Sequence, residues 1–419
     1  MSPPKIRGPL TAAALGLIAL GLVTRPADAE PAPPFADLLS RSLSTAPRLA
    51  EARAEVARAE GLARQARAYP NPTVGVQVEN FSGSGPYQGV GMAESTASVQ
   101  QPLELGGKRA TRIAAGRAEV EAARARARSL EAGFAFDLAA AYAEAEATQR
   151  RLQLAEEVLS LADDDARIAT ALVNAGKEAD LRRLQARAAV QAARAAVDEA
   201  RTARTTAFAN LTALAGEPAP ITSIQTSLLD RPAPLAAVAP AATATPAYLA
   251  AEAEREAAAR RLRAEGRRAI PDVTVSVGVR RFEADRSTAL IAGVSVPFPI
   301  FDRNRGNIDA ARAEVSAADA RLNAARLEAE GALRASAARV TAAESRIAAA
   351  QEGETTAQEA YRLARLGYEA GRLPLVELVN ARRALAEART QTIAAAVERV
   401  GATAALARLS GRAADGDAQ

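Results

Sequence analysis

The chain carries one ordered series of landmarks twice, and this duplication limits the folds open to it. Arg117-Ala118-Glu119-Val120 recurs as Arg312-Ala313-Glu314-Val315, an offset of 195. At the same offset Ala175-Gly176-Lys177 meets Ala370-Gly371-Arg372, and Leu214-Ala215-Gly216 meets Leu409-Ser410-Gly411. Upstream, Ser98, Val99 and Pro102 meet Ser295, Val296 and Pro299 at an offset of 197. Tyr69-Pro70 meets Ile270-Pro271 at 201. The drift falls where loops absorb it. Matches among Ala, Arg and Glu are cheap in a low-complexity chain, but an ordered series of Pro and Gly is not.

Each half reads as helix, hairpin, long helix, helix. In the first repeat, residues 30–216, Phe35 to Ala68 has a helical pattern with Pro47 near its start. Pro70 and Pro72 stop it, because proline lacks the amide donor and biases its predecessor to extended geometry. A β-hairpin follows over 73–101: Val74, Val76 and Val78 alternate with Thr73, Gly75, Gln77 and Glu79, and a weaker alternation runs from Gly91 to Gln101. Helices are expected from about Leu105 to Val173 and from Ala179 to Ala213. The second repeat, 247–411, has its hairpin at 272–297, with helices over about Ala247–Arg268, Arg305–Ala370 and Leu375–Leu409. Between the repeats, 217–246 is Pro-rich and poor in charge, as a linker or loose crossover would be.

Strands of about 9–11 residues, apolar on one side and small or polar on the other, have the period of outer-membrane barrel strands. Four cannot close a barrel, since about eight is the usual minimum. An open edge in lipid would strand backbone donors and acceptors. Oligomerisation resolves this, and a soluble hairpin packed on a helix is the alternative for each pair alone. Helices of about 65–70 residues would be about 100 Å long. Runs such as Ala139-Ala140-Ala141 and Ala348-Ala349-Ala350 let backbones approach closely on two faces, as a wall of adjacent helices needs. Arg124, Arg126, Arg128, Glu144 and Glu146 are expected to face water. A solvent-exposed dimeric coiled coil is the other arrangement open to such helices.

Composition removes whole classes of chemistry. The 419 residues contain no Cys and no His. Thiolate or imidazole metal sites, disulfides and Ser-His-Asp catalysis are therefore unavailable. No catalytic residue, cofactor site or metal site is assigned. Near the N-terminus Lys5 and Arg7 precede an apolar run from Pro9 to Val23, then Ala27-Asp28-Ala29. This is the layout of a cleaved signal peptide over 1–29; the run of about 15 residues falls short of the roughly 20 that span a bilayer. No Cys follows it to take a lipid. Cleavage would remove Lys5, Arg7, Arg25 and Asp28 from 53 basic and 49 acidic residues, leaving 50 and 48. So balanced a charge argues against a nucleic-acid partner. Residues 412–419 read as a flexible tail.

Ser98 to Arg112 (SVQQPLELGGKRATR), followed by an Ala/Arg/Glu helix, resembles the TolC-type outer-membrane efflux channels. It is most like the branch serving cobalt–zinc–cadmium exporters. Val296 to Ile308 (VPFPIFDRNRGNI) looks like the matching segment of the second repeat, and Tyr368 to Asn380 (YEAGRLPLVELVN) like the turn between its periplasmic helices. The resemblance covers nearly the whole chain after the signal. It implies a mainly α-helical protomer with a membrane β part: a long α-helical coiled-coil tunnel, and four strands contributed to a 12-strand barrel by a homotrimer in outer-membrane lipid. It implies docking on a periplasmic adaptor and an inner-membrane pump of the RND type, with passive conduction and no enzymatic activity.

The family closes its tunnel at the periplasmic end, so the resemblance also carries candidate residues. Tyr368 matches the gate tyrosine, and Glu377 stands where an acidic ring member is expected. Asn380, at the second acidic position, is neutral here, and Arg182 replaces an acid often found there. Arg182 of one hairpin paired with Glu377 of another is a different closure. Gly176, Lys177, Gly371 and Arg372 form the expected adaptor-facing tips. Heavy-metal cations are the expected cargo; drugs, solvents or a type I secreted polypeptide are alternatives. A periplasmic coiled-coil adaptor or scaffold is the alternative of another class, disfavoured by two hairpins and duplicated strands.

Overall fold

The computed structural model describes residues 30–231, 240–370 and 372–411. The expected signal peptide (1–29) and tail (412–419), residues 232–239 and the tip residue Gly371 lie outside the described residues. The first repeat contains β1 (Glu30–Ala32), α1 (Phe35–Thr45), α2 (Pro47–Gln65), β2 (Thr73–Glu79), β3 (Glu94–Leu103), α3 (Lys108–Asn174) and α4 (Asp180–Ala215). After β4 (Ile221–Ile224) come α5 (Pro246–Arg268), β5 (Val273–Phe282), β6 (Thr288–Ser295), α6 (Arg305–Glu369) and α7 (Leu375–Ser410).

The continuous helix expected over 35–68 is two helices. Ala46 is extended (φ −58, ψ 128) between them. Pro47 disfavours helical geometry in the residue before it, and at N1 its missing donor does no harm to α2. The inter-repeat stretch also holds regular structure. β4 pairs in parallel with β1, with Ala32 opposite Ile224.

The four longer strands form an antiparallel sheet ordered β2-β3-β5-β6. Below it the wall follows the same order, α2 against α3, α3 against α5 and α5 against α6. Farther from the sheet, α4 packs on α3, α3 on α7 and α7 on α6. Only α3 and α6 run the full depth; at 67 and 65 residues each spans about 100 Å. Alanines supply most of the buried positions of α3, including Ala122, Ala123, Ala125, Ala139, Ala143 and Ala147. Their small side chains bring neighbouring backbones close, so these helices pack without large apolar residues.

The main core lies at mid-depth, where α1 and β4 meet α3, α4 and α7. Phe35, Leu38, Leu138, Tyr142, Leu211 and Leu229 are fully buried there. Phe35 meets Tyr142 edge-on at 5.7 Å. Glu146, expected to face water, is 3% exposed. Its carboxylate accepts from the backbone N–H groups of Leu228 (2.8 Å) and Leu229 (3.1 Å), from Ser227 Oγ (2.6 Å) and from Arg150 (2.7 Å). Arg150 also reaches Asp230. Gln149 exchanges two bonds with the backbone of Ile224, and Arg399 donates to Leu229 O (2.6 Å). One turn of α3 thus holds the crossover between the repeats, satisfying the charge that its burial would otherwise leave unpaired.

Tyr142 donates to Thr226 O (2.9 Å) in this belt. Burial, with Glu146 near, pushes its hydroxyl up to about 12. The unfolded residue ionises near 10. The folded chain keeps the proton longer, so this contribution is intact below pH 10 and lost as pH rises towards 12. The loss amounts to about 3 kcal/mol. In denaturant titrations from pH 8 to 11.5, the native chain should lose more stability than Tyr142→Phe.

Candidate functional site

The sheet has two chemically different faces, and the strand register aligns them. One face carries the rows Val74–Val99–Val277–Ala292 and Val76–Ala97–Val279–Leu290. Most of these large apolar side chains are exposed, Leu290 to 87%. The other carries Thr73–Gln100–Ser276–Gly293 and Gln77–Thr96–Arg280–Ala289. On it Arg280 bonds Glu79 (3.0 Å), Glu94 (2.9 Å) and Thr96 (2.9 Å). Alternation of an apolar and a polar face is the pattern of strands with lipid on one side and water on the other. Strands β2 and β6 are its unpaired edges. At its base, after β6, Phe298 and Phe301 are 84% and 97% exposed. No helix among the described residues is long and apolar enough to cross a membrane.

At the joint between sheet and wall, arginines seal the end of α2. Arg109 donates twice to Arg67 O and lies 4.0 Å over the Tyr69 ring. Arg112 donates to Ala66 O (3.0 Å) and Ala68 O (2.9 Å) and pairs with Glu104. These carbonyls have no helical partner, and cations at a helix C-terminus suit its dipole. Lys108 reaches Asp272 at 2.8 Å and ties the first repeat to the second. Lower down, Arg261 bridges Glu119 (2.7 Å) and Glu314. Burial acts to raise the Glu119 pKa, but Arg261 and Arg126 outweigh it and the net shift is downward.

The far tips are helix turns. Gly176 is left-handed (φ 69), its N–H bonds Val173 O (3.0 Å), and the Lys177 N–H bonds Leu172 O (2.9 Å). This double closure needs a residue at positive φ, which glycine adopts without strain. In the second repeat the Arg372 N–H makes the matching bond to Gly367 O (2.8 Å). Leu373 folds back onto Gly367, where a Cβ would come within 2.6 Å of its side chain. Lys177 and Arg372 are exposed.

Tyr368 lies half-buried near the end of α6, and Arg182 half-buried at the start of α4. Glu377 and Asn380 are exposed on the first turns of α7. Among the described residues none of the four side chains bonds another within the protomer. Helix α3 stands between α4 and α7, which keeps Arg182 from Glu377 inside one chain. The least exposed charge pair near these tips is a different one, Arg382 to Asp165 at 2.6 Å, with side chains 17% and 20% exposed. Arg389 to Glu157 (2.8 Å) lies farther from the tip. Both join α7 to α3 across the repeats. Sequence reasoning missed them because each residue is one charge among many along an Arg/Glu-rich helix. Among the described residues no cluster of three or more carboxylates is placed to hold a metal ion.

A two-faced hairpin sheet with free edges, set on a wall of 100 Å helices, is the protomer of an outer-membrane export duct. The family model for outer membrane efflux proteins matches residues 38–217 and 241–412. The chain belongs to that family. It is 44% identical over 310 residues to the nickel-cobalt-cadmium resistance protein NccC of Alcaligenes xylosoxydans xylosoxydans, covering 74% of this chain and 70% of that one. To the nickel and cobalt resistance protein CnrC of Cupriavidus metallidurans it is 43% identical over 280 residues, 67% of each chain. Among solved structures, CusC superposes with a TM-score of 0.75 at 19% identity, covering 90% of this chain and 92% of that one. VceC of Vibrio cholerae gives 0.72 at 20% identity, covering 90% and 96%. These two establish the fold, a TolC-like protomer.

Replacing Arg382 by Gln leaves the Asp165 carboxylate enclosed without its cation. The expected cost is about 2 kcal/mol, with faster hydrogen exchange in the first turns of α7. Arg383→Gln, at an exposed neighbour, should stay within about 0.5 kcal/mol in the same denaturation experiment.

Proposed function

We propose that three copies of this chain close a 12-strand barrel in the outer membrane and conduct heavy-metal cations of the nickel, cobalt and cadmium kind out of the cell. The observation that carries the channel reading is the four-stranded sheet, apolar on one face and polar on the other, with β2 and β6 unpaired at its edges. In hydrocarbon those edges need partners, and further copies of the same sheet supply them. The cargo rests on the relatives' names as nickel, cobalt and cadmium resistance proteins.

In this reading the chain is a passive duct and no enzyme. An inner-membrane pump of the RND type drives export, and a periplasmic adaptor joins pump to duct at the helix tips, at Gly176, Lys177, Gly371 and Arg372. Ion selectivity belongs to the pump, since the chain has no His or Cys with which to ligate transition metals. Residues 1–29 act as the cleaved export signal. Tyr368, Glu377, Asn380 and Arg182 line the periplasmic closure, where Arg182 of one copy meets Glu377 of another across the tunnel axis, not along the wall, in which α6 separates α7 from the next α4.

Two measurements test this. The protein should fractionate with outer membranes and have the mass of a trimer in detergent; a soluble periplasmic monomer would sink the channel. In planar bilayers Arg182→Glu should raise conductance and Glu377→Arg should do the same. Unchanged conductance in both removes these residues from the closure. Nickel or cobalt tolerance, compared with drug tolerance in a strain lacking the gene, decides the cargo.

A further inference from the structure

We infer that the seam between two copies repeats the seam between the two halves of one chain, and that Arg194 of one copy pairs there with Glu352 of the next. The inference rests on the ring of copies proposed above and names what holds it together.

Far from the sheet the wall runs α4, α3, α7, α6. The α4–α3 and α7–α6 contacts lie within a repeat, and α3–α7 lies between repeats. Helices α4 and α6 are the free flanks, so closing a ring sets α6 of one copy against α4 of its neighbour. That junction has the same parts as α3–α7, because α6 is the repeat of α3 and α7 is the repeat of α4. The correspondence holds residue by residue. Glycine landmarks at 176 and 371 and at 216 and 411 bracket α4 and α7 at one offset, 195.

In the internal seam Arg389 Nη1 lies 2.8 Å from Glu157 Oε2. Moved by the repeat, Glu157 becomes Glu352 and Arg389 becomes Arg194, so both charges survive the transfer. Within the protomer Glu352 is exposed and has no ion pair among the described residues. Arg194 is 57% exposed, with one loose 3.7 Å contact to Asp163. Each is therefore available to the other. The pair nearer the tip does not transfer. Arg382 and Asp165 correspond to Arg187 and Ala360, so the acid is missing. The copy-to-copy seam is thus bonded at the depth of Arg194 and lacks the second bridge closer to the tip.

The absence of native Cys makes the test clean. Arg194→Cys combined with Glu352→Cys, treated with a short bismaleimide in outer-membrane fractions, should give a ladder of linked dimers and trimers on denaturing gels. Either single variant should give none. In detergent, Arg194→Glu and Glu352→Arg should each lower the temperature at which the trimer dissociates, and the two together should restore it. A trimer without the ladder overturns this seam and leaves the channel reading standing. A ladder without restoration by the double reversal overturns the ion pair. If the unmutated chain is a monomer, the channel reading fails, and this inference fails with it.

Discussion

Backbone amides in hydrocarbon must find partners within the protein, because lipid offers none. That requirement reaches every part of this molecule. The short sheet pairs its inner strands β3 and β5 along ten residues of each and leaves β2 and β6 open. Its valine rows face one way and its Thr, Ser and Gln rows the other, and four strands are too few to curl round and close their own edges. Repetition around an axis satisfies both demands. Once the sheet is one arc of a barrel, the helices below it must follow the same arc, and the order α2, α3, α5, α6 tracks the strands above.

The wall shows how a chain with few large apolar residues holds such a shape. Alanine allows close helix contact, and ion pairs between elements fix how the helices align. Lys108–Asp272, Arg261–Glu119, Arg389–Glu157 and Arg382–Asp165 all cross from one repeat to the other. Singly, the more exposed of these pairs, such as Arg261–Glu119, contribute about 0–1 kcal/mol. Their larger effect is on register, since a helix that slid by one turn would leave these charges without partners: Leu161 or Ala169 would stand where Asp165 meets Arg382. The main core lies at mid-depth, where Tyr142, Glu146 and Gln149 clamp the crossover, with small clusters around Val120 above it and Val190 below. That belt is the fixed level from which the sheet and the tips extend in opposite directions.

Much of this was legible from residue types with stiff backbone preferences. Pro70 and Pro72 marked the passage from helix to strand, alternating valines marked the lipid face, and Gly176 marked the end of α3. The same stiffness at Pro47 was noted without its consequence, the break at Ala46. Charged residues carried far less. Glu146 and Glu144 lie two positions apart on one Ala/Glu helix and read alike, yet Glu146 is buried under four hydrogen bonds and Glu144 is a half-exposed partner of Arg151. Arg382 and Arg383 are adjacent and chemically the same, and only one meets a carboxylate. Periodicity in such a helix cannot tell a seam from a wet face when alanine occupies both.

By itself, then, the sequence determined the duplication, the element types and the two-faced strands, because these follow from local geometry and the spacing of Pro, Gly and Val. Family membership was legible from resemblance, in the segments around Gly106 and Asn304. Only the tertiary structure decided which charges are partners, which carboxylate is buried, and that α3 lies between α4 and α7 and so separates Arg182 from Glu377. Those outcomes depend on which helix face meets which neighbour. That is a property of the assembled wall, where residues more than two hundred positions apart, such as Asp165 and Arg382, come within 2.6 Å.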